Sequence, residues 1–381
     1  MKTRLIANRP ELQQFKKKMT YHLRSRRMFL AQTATAVILP TLLNTNASPA
    51  AESTGIHATA KQALDWIKPN GLKQGDTIAM VAPAGPADRT LVLAYKKQLE
   101  DIGFRVKFDE RMLDRRKDYL AGNDDQRVEE LNQAIRDPLV RGIFPVRGGF
   151  GLTRILDRVD FEALRRDPKV VTGYSDITAF HLANARLARV ISFHSPMPMS
   201  NLARADLPEY AFANRSFERM LLVTKYPKSM VGEPIGVPEG HQVKTHNGGK
   251  AQGRLMGGNL TLVCSTIGTP YAIEPAGAIL FLEDVHEEAY RVDRMLSQLR
   301  LSGVLDSVAG IVMGRFTYKE PSDELKIGSV IDEYMKRVRC PVITNFPVGH
   351  VPENATLPFG ATVEVDADQG KLIVMEEPCI R

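Results

Sequence analysis

The stretch that decides the fold is VVTGYSDITAF at residues 170–180. Two β-branched residues lead into a turn that contains Gly173, and an apolar pattern with helical spacing follows Ser175. A serine at such a strand-to-helix turn projects its hydroxyl from the carboxyl edge of a sheet. The same stretch also fits Ser175 as an ordinary helix N-cap, and the Gly-x-Ser-x-Gly pattern is absent because residue 177 is Ile. The turn alone therefore favours capping slightly over nucleophilic chemistry.

On both sides of this stretch, apolar runs of strand length alternate with helical patterns. In the first half, the predicted strands are 75–83, 105–108, 142–146, 170–172 and 189–193, and the predicted helices are 91–102, 126–136 and 177–185. In the second half, they are strands 278–282, 310–313 and 342–344, helices 259–266, 288–302 and 329–337, and a hairpin of 361–366 with 371–375. Such alternation predicts an α/β fold with a parallel sheet, whose ligands bind beyond the carboxyl ends of the strands.

The length of 381 residues predicts two domains. A connector is predicted at 51–70, an N-terminal domain at 71–223, a Pro- and Gly-rich linker at 224–248 and a C-terminal domain at 249–381. The net charge of +7 arises in residues 1–50, which hold nine Lys or Arg and one Glu. The remainder has 42 basic and 43 acidic residues, so no nucleic-acid-binding face is predicted.

Residues 1–50 resemble an export signal of the twin-arginine type. Arg26 and Arg27 precede an apolar Thr- and Ala-rich stretch, and small residues end at Ala50, where we expect cleavage. The apolar stretch is shorter than the roughly 20 residues that span a bilayer, so no stable membrane insertion is expected after cleavage. The predicted location is the periplasm. A cytoplasmic protein with a basic tail is the alternative if the leader does not function.

Three further segments carry candidate chemistry. The glycine loop RGGFG at residues 147–151 follows a predicted strand and can turn backbone N–H groups toward a ligand, although a plain tight turn is equally consistent. Glu283 and Asp284 end an apolar strand, where a carboxylate can orient an imidazole or merely aid solubility. His350 follows a strand and a Gly, and can act as a general base or simply be solvated.

Metals and cofactors are not predicted. The sequence contains no His-Glu-x-x-His motif and no paired cysteines, and the glycine loop lacks both the Walker lysine and the Gly-x-Gly-x-x-Gly pattern of dinucleotide binding. The three cysteines are widely spaced, so the sequence leaves open whether any two of them form a disulfide.

Taken in order and spacing, these segments resemble the LD-carboxypeptidase family, also called muramoyltetrapeptide carboxypeptidases, from about residue 71 to residue 365. The matching segments are Gly75-Asp76, Ala82-Pro83, Ala121-Gly122-Asn123-Asp124, Arg147-Gly148-Gly149-Phe150-Gly151, Gly173-Tyr174-Ser175-Asp176-Ile177-Thr178, Gly257-Gly258-Asn259-Leu260, Gly268-Thr269-Pro270-Tyr271, Leu282-Glu283-Asp284, Arg291-Val292-Asp293-Arg294-Met295-Leu296 and Gly349-His350. The chain departs from the family pattern at Ser195, where Gly is usual, and at Phe150, where Tyr is common.

The resemblance implies a serine peptidase whose catalytic triad is Ser175, Glu283 and His350. It implies a doubly wound, flavodoxin-like N-terminal domain that carries the serine, and a smaller α/β domain resembling a swivelling barrel that carries Glu283 and His350. The active site is then expected between the domains, with the backbone N–H groups of Asp176 and Gly149 as oxyanion-hole candidates.

The substrate implied by the resemblance is the murein tetrapeptide, cut at the L,D bond before its terminal D-alanine. Arg147 or Arg294 could bind the terminal carboxylate. Two alternatives remain: the family's immunity branch, which hydrolyses acyl-adenylate-like toxins, and a muropeptide-binding protein without catalysis. The family is often cytoplasmic, so an export leader is unusual. The sequence does not determine whether the protein forms a homodimer.

Overall fold

The computed structural model describes residues 64–200, 202–204 and 207–381. The predicted signal at 1–50 and most of the predicted connector lie outside the described residues. Within the described part of the chain, no helix is long and apolar enough to cross a membrane.

The first sheet is parallel and has the strand order β2-β1-β3-β4. Its strands are β1 (Thr77–Val81), β2 (Arg105–Lys107), β3 (Val140–Pro145) and β4 (Val170–Val171). The helices of this half are α1 (Arg89–Asp101), α2 (Asp124–Arg136), α3 (Phe161–Arg166), α4 (Thr178–Leu187) and α5 (Ala211–Leu221). Every residue of β1 is buried, as expected for a strand covered by helices on both faces. This strand order is that of the doubly wound flavodoxin-like sheets.

A short strand connects the first sheet to the second half of the chain. β5 (Ser192–His194) lies beside the end of β4 through a parallel bridge between Thr172 and Phe193. It also pairs antiparallel with β11 (Leu357–Phe359), which belongs to the C-terminal half. The two halves therefore share backbone hydrogen bonds as well as side-chain packing.

The second sheet has seven strands in the order β13-β12-β7-β8-β9-β10-β6, three more than the first sheet. The strands are β6 (Lys244–Asn247), β7 (Lys250–Asn259), β8 (Ile279–Glu287), β9 (Gly310–Tyr318), β10 (Val342–Thr344), β12 (Thr362–Asp366) and β13 (Lys371–Val374). Its helices are α6 (Leu260–Thr266), α7 (Ala289–Leu301), α8 (Val304–Ser307) and α9 (Asp323–Met335). β7 to β10 run parallel, whereas β12, β13 and β6 are antiparallel additions at the two sides. The predicted two-part α/β fold is confirmed.

The segment predicted as a linker, residues 224–248, is not wholly irregular. Its last part forms β6, which pairs with β10 at the edge of the second sheet. The alternation in Lys244–Asn247 is weak because all four residues are polar, so the sequence carries no strand signal there. Pairing with a neighbouring strand, rather than local propensity, decides this element.

The core of the protein is continuous across the two sheets. One cluster of buried apolar side chains includes Phe144 and Phe193 from the first half and Phe281, Phe346 and Val348 from the second. Val170 of β4 and Phe281 of β8 both belong to this cluster, so the two strands pack into one core.

Candidate active site

Ser175 occupies a strained turn directly after β4. Its φ is 63°, in the left-handed region that costs a non-glycine residue of order 1–3 kcal/mol. The single turn Ser175–Ile177 and helix α4 both lack a side-chain capping hydrogen bond at their starts, so Ser175 is not the N-cap of either. Since the surrounding structure holds a half-buried serine in a costly conformation without a capping role, the nucleophile interpretation gains support.

The glycine loop lies against this turn. A Cβ built on Gly148 would lie 2.8 Å from Ser175 Cβ and 3.0 Å from Ser175 Oγ, closer than side-chain atoms normally approach. The Gly148 carbonyl in turn accepts a hydrogen bond from the Gly85 N–H at 3.0 Å. Only glycine at position 148 allows the loop to approach the serine this closely.

Glu283 and His350 form a hydrogen-bonded pair at the second sheet. Glu283 lies in β8 with a side chain that is 0% exposed, and its Oε2 is 2.7 Å from His350 Nδ1. The His350 side chain is 16% exposed. Gly349, with φ 138°, allows this approach, because a Cβ there would lie 3.1 Å from Glu283 Oε2. Nδ1 is occupied, so Nε2 is the nitrogen available to a reacting group.

Two opposing influences set the pKa of His350. Burial lowers it, but the negative charge of Glu283, the hydrogen bond to Glu283 and a smaller effect of the Asp284 charge together raise the pKa above its ordinary value. A carboxylate that orients an imidazole and stabilises its protonated form is the arrangement of a catalytic base and its partner.

A ring contact connects the serine turn to this pair. The Tyr174 ring packs against the His350 ring with centroids 4.7 Å apart and planes inclined by 60°. Tyr174 directly precedes Ser175, so the nucleophile candidate and the imidazole are neighbours. Among the described residues, Ser175 Oγ and His350 are not hydrogen-bonded to each other. Such bonds are often long without substrate and tighten when it binds.

A second contact holds the two halves together next to the site. The Asn259 N–H, at the end of β7, donates to Thr178 Oγ1 at 3.0 Å, and both residues are buried. Gly258 lies against the same threonine, since a Cβ there would lie 2.5 Å from Thr178 Oγ1. Thr178 begins α4, the helix that follows Ser175, so the serine segment is packed on the strand beside β8.

Asp284 is the centre of a buried polar network behind Glu283. Its carboxylate accepts hydrogen bonds from Asn259 Nδ2 at 2.8 Å, from the Thr261 N–H at 3.0 Å and from the Thr261 hydroxyl at 2.9 Å. Asn259 Nδ2 also lies 3.4 Å from Glu283 Oε1, so one amide serves both acids. Burial, with a contribution from Glu283, raises the pKa of Asp284 to about 6.

Of the two predicted oxyanion donors, the Asp176 N–H belongs to the serine turn and the Gly149 N–H to the glycine loop. The Asp176 nitrogen would be 3.2 Å from a Cβ on Gly148, and Gly149 is exposed in the same loop. No backbone acceptor for either N–H is found in the described ranges. The Asp176 side chain accepts from the Leu152 N–H at 2.9 Å, and burial raises its pKa to about 6.

The two arginines proposed for carboxylate binding have different surroundings. Arg147 is half-buried at the start of the glycine loop, beside Gly85, and forms no ion pair with any described residue. Arg294 lies over the Tyr290 ring at 5.3 Å, in an open groove along α7. That groove is lined by residues of α7 and by Ser302, which follows it, and contains none of the three predicted catalytic residues.

Sequence reasoning assigned no role to several residues of the site. The motifs quoted above include Tyr174, Thr178 and Asn259, but no local pattern indicated that these residues make contacts across the two halves. No local pattern indicated a role for His194 either. It is fully buried behind Tyr174, with ring centroids 5.7 Å apart, and burial holds its pKa well below the ordinary value. Within the described ranges, no group of three or more His, Cys, Asp or Glu side chains is arranged to hold a metal ion.

Fold and site together define a two-part α/β protein with a buried acid–imidazole pair facing a strained serine. Family models agree with this description: the LD-carboxypeptidase N-terminal domain matches residues 78–195 and the LD-carboxypeptidase C-terminal domain matches residues 252–365. The probable murein peptide carboxypeptidase of Bacillus subtilis is 33% identical over 312 residues, which cover 81% of this chain and 94% of the relative. The chain belongs to the LD-carboxypeptidase family of peptidases.

Solved structures show the same fold. A muramoyltetrapeptide carboxypeptidase from Oxalobacter formigenes is 30% identical with a TM-score of 0.66, and the match covers 79% of this chain and 99% of that chain. The microcin C7 self-immunity protein MccF is 24% identical with a TM-score of 0.74, over 82% of this chain and 99% of that chain. The likeness to MccF shows only that the two proteins share a fold.

Proposed function

We propose that this protein is a serine carboxypeptidase that hydrolyses the L,D bond before the terminal D-alanine of murein tetrapeptides. The observation that carries the proposal is the Glu283–His350 hydrogen bond at 2.7 Å, in a buried pair whose ring packs on the residue preceding Ser175. The names of the murein peptide carboxypeptidases among its relatives support the choice of substrate.

In the proposed mechanism, His350 Nε2 takes the proton of Ser175 as the serine oxygen attacks the carbonyl carbon of the third residue. Glu283 holds the imidazole in the tautomer that leaves Nε2 unprotonated, and stabilises the imidazolium. His350 then returns the proton to the leaving nitrogen, so D-alanine departs and an acyl-enzyme remains. A water molecule, deprotonated by the same imidazole, releases the shortened peptide.

The oxyanion of the tetrahedral intermediate is proposed to accept hydrogen bonds from the N–H groups of Asp176 and Gly149. In support of this proposal, the Asp176 nitrogen lies beside Gly148, where a Cβ would be 3.2 Å away, and Gly149 is the next residue of the same loop. Both N–H groups lack a backbone acceptor among the described residues. One such donor contributes about 2.7–4 kcal/mol of transition-state stabilisation in comparable sites.

The carboxylate of the terminal D-alanine is proposed to bind Arg147. A half-buried guanidinium without a described acidic partner, next to the loop that contacts Ser175, matches a carboxylate that must lie one residue beyond the scissile bond. Arg294 is a weaker candidate, because it lies in the α7 groove and packs on Tyr290.

The proposed location is the periplasm, reached through the twin-arginine leader at residues 1–50. Export of a folded enzyme suits a site assembled from two sheets. Replacing Arg26 and Arg27 by Lys should retain the protein in the cytoplasm, as judged by fractionation. Unchanged recovery from the periplasm would reject this part of the proposal.

The decisive experiment compares the chain beginning after Ala50 with its Ser175→Ala variant on a defined murein tetrapeptide. Wild type should release D-alanine, and Ser175→Ala should release essentially none while still binding the peptide. Equal release by both proteins would contradict the serine mechanism.

Two alternative functions give different results in the same assay. An acyl-adenylate analogue, offered in parallel, tests the activity of the immunity branch. Its hydrolysis without D-alanine release would favour that alternative. Binding of the tetrapeptide by wild type without any turnover would indicate a non-catalytic muropeptide-binding protein.

A further inference from the structure

Two large aromatic side chains are exposed next to the candidate active site. Tyr119 is 63% exposed and Phe150 is 45% exposed, and their rings meet edge to face with centroids 5.9 Å apart. Phe150 belongs to the glycine loop itself, and Tyr119 lies on the loop before α2. Exposed aromatic surface that is contiguous and adjacent to a site is a frequent mark of ligand contact.

Hydrogen bonds and side-chain packing hold the backbone next to both rings. Arg127, which is fully buried, donates to the carbonyls of Gly151 at 2.9 Å and Pro83 at 2.5 Å. Leu120, also buried, packs on Gly151, where a Cβ would lie 2.9 Å from Leu120 Cδ2. These contacts hold together the loop that carries Tyr119 and the glycine loop that carries Phe150.

A tight turn also fixes the backbone that carries Tyr119. Residues Lys117 and Leu120 exchange two backbone hydrogen bonds, at 3.0 and 2.9 Å, and Asp118 within the turn has a φ of 55°. The next residue, Ala121, donates to the carbonyl of Ala84 at 2.9 Å. The exposed rings are therefore presented by rigid loops, which lowers the entropy cost of binding a ligand between them.

Phe150 is two residues along the glycine loop from the contact with Ser175. Gly148 contacts Ser175, and the two residues from Gly148 to Phe150 span at most about 7 Å, to which the side chain adds its own length. In a murein tetrapeptide, three residues separate the scissile carbonyl from the sugar that bears the peptide, about 10 Å when extended. A sugar attached to the bound peptide can therefore reach the aromatic pair.

The charge around the pair fits an acidic peptide stem. Arg116 and Lys117 are exposed beside Tyr119 and form no ion pair with any described residue, and Asp118 is the one exposed acid between them and the ring. Murein stems carry free carboxylates along the peptide, so cations on this path are complementary to them. The C–H groups on one face of a pyranose carry partial positive charge and pack on the negative face of an aromatic ring.

We propose that Tyr119 and Phe150 form a saccharide subsite that binds the pyranose ring attached to the tetrapeptide stem, so that glycan-linked tetrapeptides are preferred over free ones. The inference rests on the proposed murein peptidase function and specifies its substrate. Tyr119 and Phe150 are specificity residues for the outer part of the substrate and take no part in bond cleavage.

The test compares two substrates, the free tetrapeptide and the same tetrapeptide linked to its disaccharide. Wild type should show a higher kcat/KM for the linked form, mainly through KM. Tyr119→Leu, which keeps apolar bulk without the ring, should lower the ratio of the two kcat/KM values about tenfold, the size expected for one lost aromatic stacking contact. Tyr119→Phe should retain the ratio, and Leu139→Ala, at a site 70% exposed elsewhere on the first half, should leave it unchanged.

Two results would overturn the subsite: equal kcat/KM values for the two substrates in wild type, or a fall in both substrates by the same factor in Tyr119→Leu. Binding measured by calorimetry on Ser175→Ala separates this inference from the proposed function. Tighter binding of the linked form, lost in Ser175→Ala with Tyr119→Leu, supports the subsite even if D-alanine release fails. Equal binding of both forms to Ser175→Ala would reject it even if peptidase activity is confirmed.

Discussion

The serine turn and the acid–imidazole pair are built in different ways. Ser175 has a positive φ and touches its neighbours through glycine, so its position depends on the approach of a loop. Glu283 is part of the long strand β8, and it is fully buried with its hydrogen bond to His350 already formed. The pair is thus preorganised within the second half of the chain, between β8 and the loop that follows β10, whereas the serine reaches it only through packing between the two halves. Changes at the pair should alter proton transfer, and changes at the turn should alter alignment.

The largest effect is expected from breaking the pair. Glu283→Gln keeps the volume but allows the amide to hydrogen-bond the wrong imidazole tautomer, so kcat should fall by about 10⁴-fold, as for the equivalent change in a triad. D-alanine release measures the loss, and circular dichroism checks the fold. A fall of less than tenfold would show that Glu283 does not orient His350.

Displacing the serine while leaving the pair intact should have a smaller effect. Gly148→Ala places a Cβ 2.8 Å from Ser175 Cβ, and a displacement of about 1 Å at a reacting atom can cost about 100-fold in rate. The pH profile of kcat/KM should keep its shape, since His350 is untouched. Gly328→Ala, in α9 with no atom within 4 Å of the new Cβ, is the matched control and should retain full activity. Full activity in Gly148→Ala as well would contradict the close approach.

The contact between the halves should appear in stability. Thr178→Val removes the acceptor of the buried Asn259 N–H and should lower the free energy of unfolding by about 1–3 kcal/mol. Urea denaturation measures the change. Thr317→Val removes a similar bond, from the His286 N–H at 2.9 Å, at an exposed position and should cost less. Equal losses in the free energy of unfolding would mean that the buried hydrogen bond to Thr178 stabilises the protein no more than the exposed one to Thr317.

The smallest effect is expected from Asp284→Asn. His350 acts as a base only when neutral, so activity is lost as pH falls through its pKa. The negative charge of Asp284 contributes to raising that pKa, and its removal should lower the pKa and move the acid limb of kcat/KM to lower pH. Asp114→Asn, at an exposed surface ion pair with Arg89, should leave the limb in place. A shift to higher pH would contradict the assigned direction.

Much of the fold followed from local pattern. The predicted helix 91–102 corresponds to Arg89–Asp101 and the predicted strand 342–344 to Val342–Thr344, because periodicity and capping residues act over a few positions. The closing hairpin is also present, with Thr362–Asp366 pairing antiparallel to Lys371–Val374. β6 was missed because its four polar residues gain their conformation from β10 alone.

The candidate site divides in the same way. The order and spacing of its motifs indicated Ser175, Glu283 and His350, since each chemical group follows a recognisable strand or turn. Those three roles stay predictions until the variants are measured. Local pattern could not distinguish Arg147 from Arg294, because a long side chain is placed by what packs around it rather than by its neighbours in sequence.

The sequence by itself determined the α/β class and the family resemblance, since these depend on residues within a few positions of one another. It placed Glu283 at the end of an apolar strand, whereas β8 continues past it to Glu287. Only the tertiary structure decided that Tyr174 packs on His350 and that the Asn259 N–H meets Thr178. Those contacts join residues from separate sheets, and their geometry depends on how the two sheets share one core. Interactions of that range leave no periodic signal in the chain.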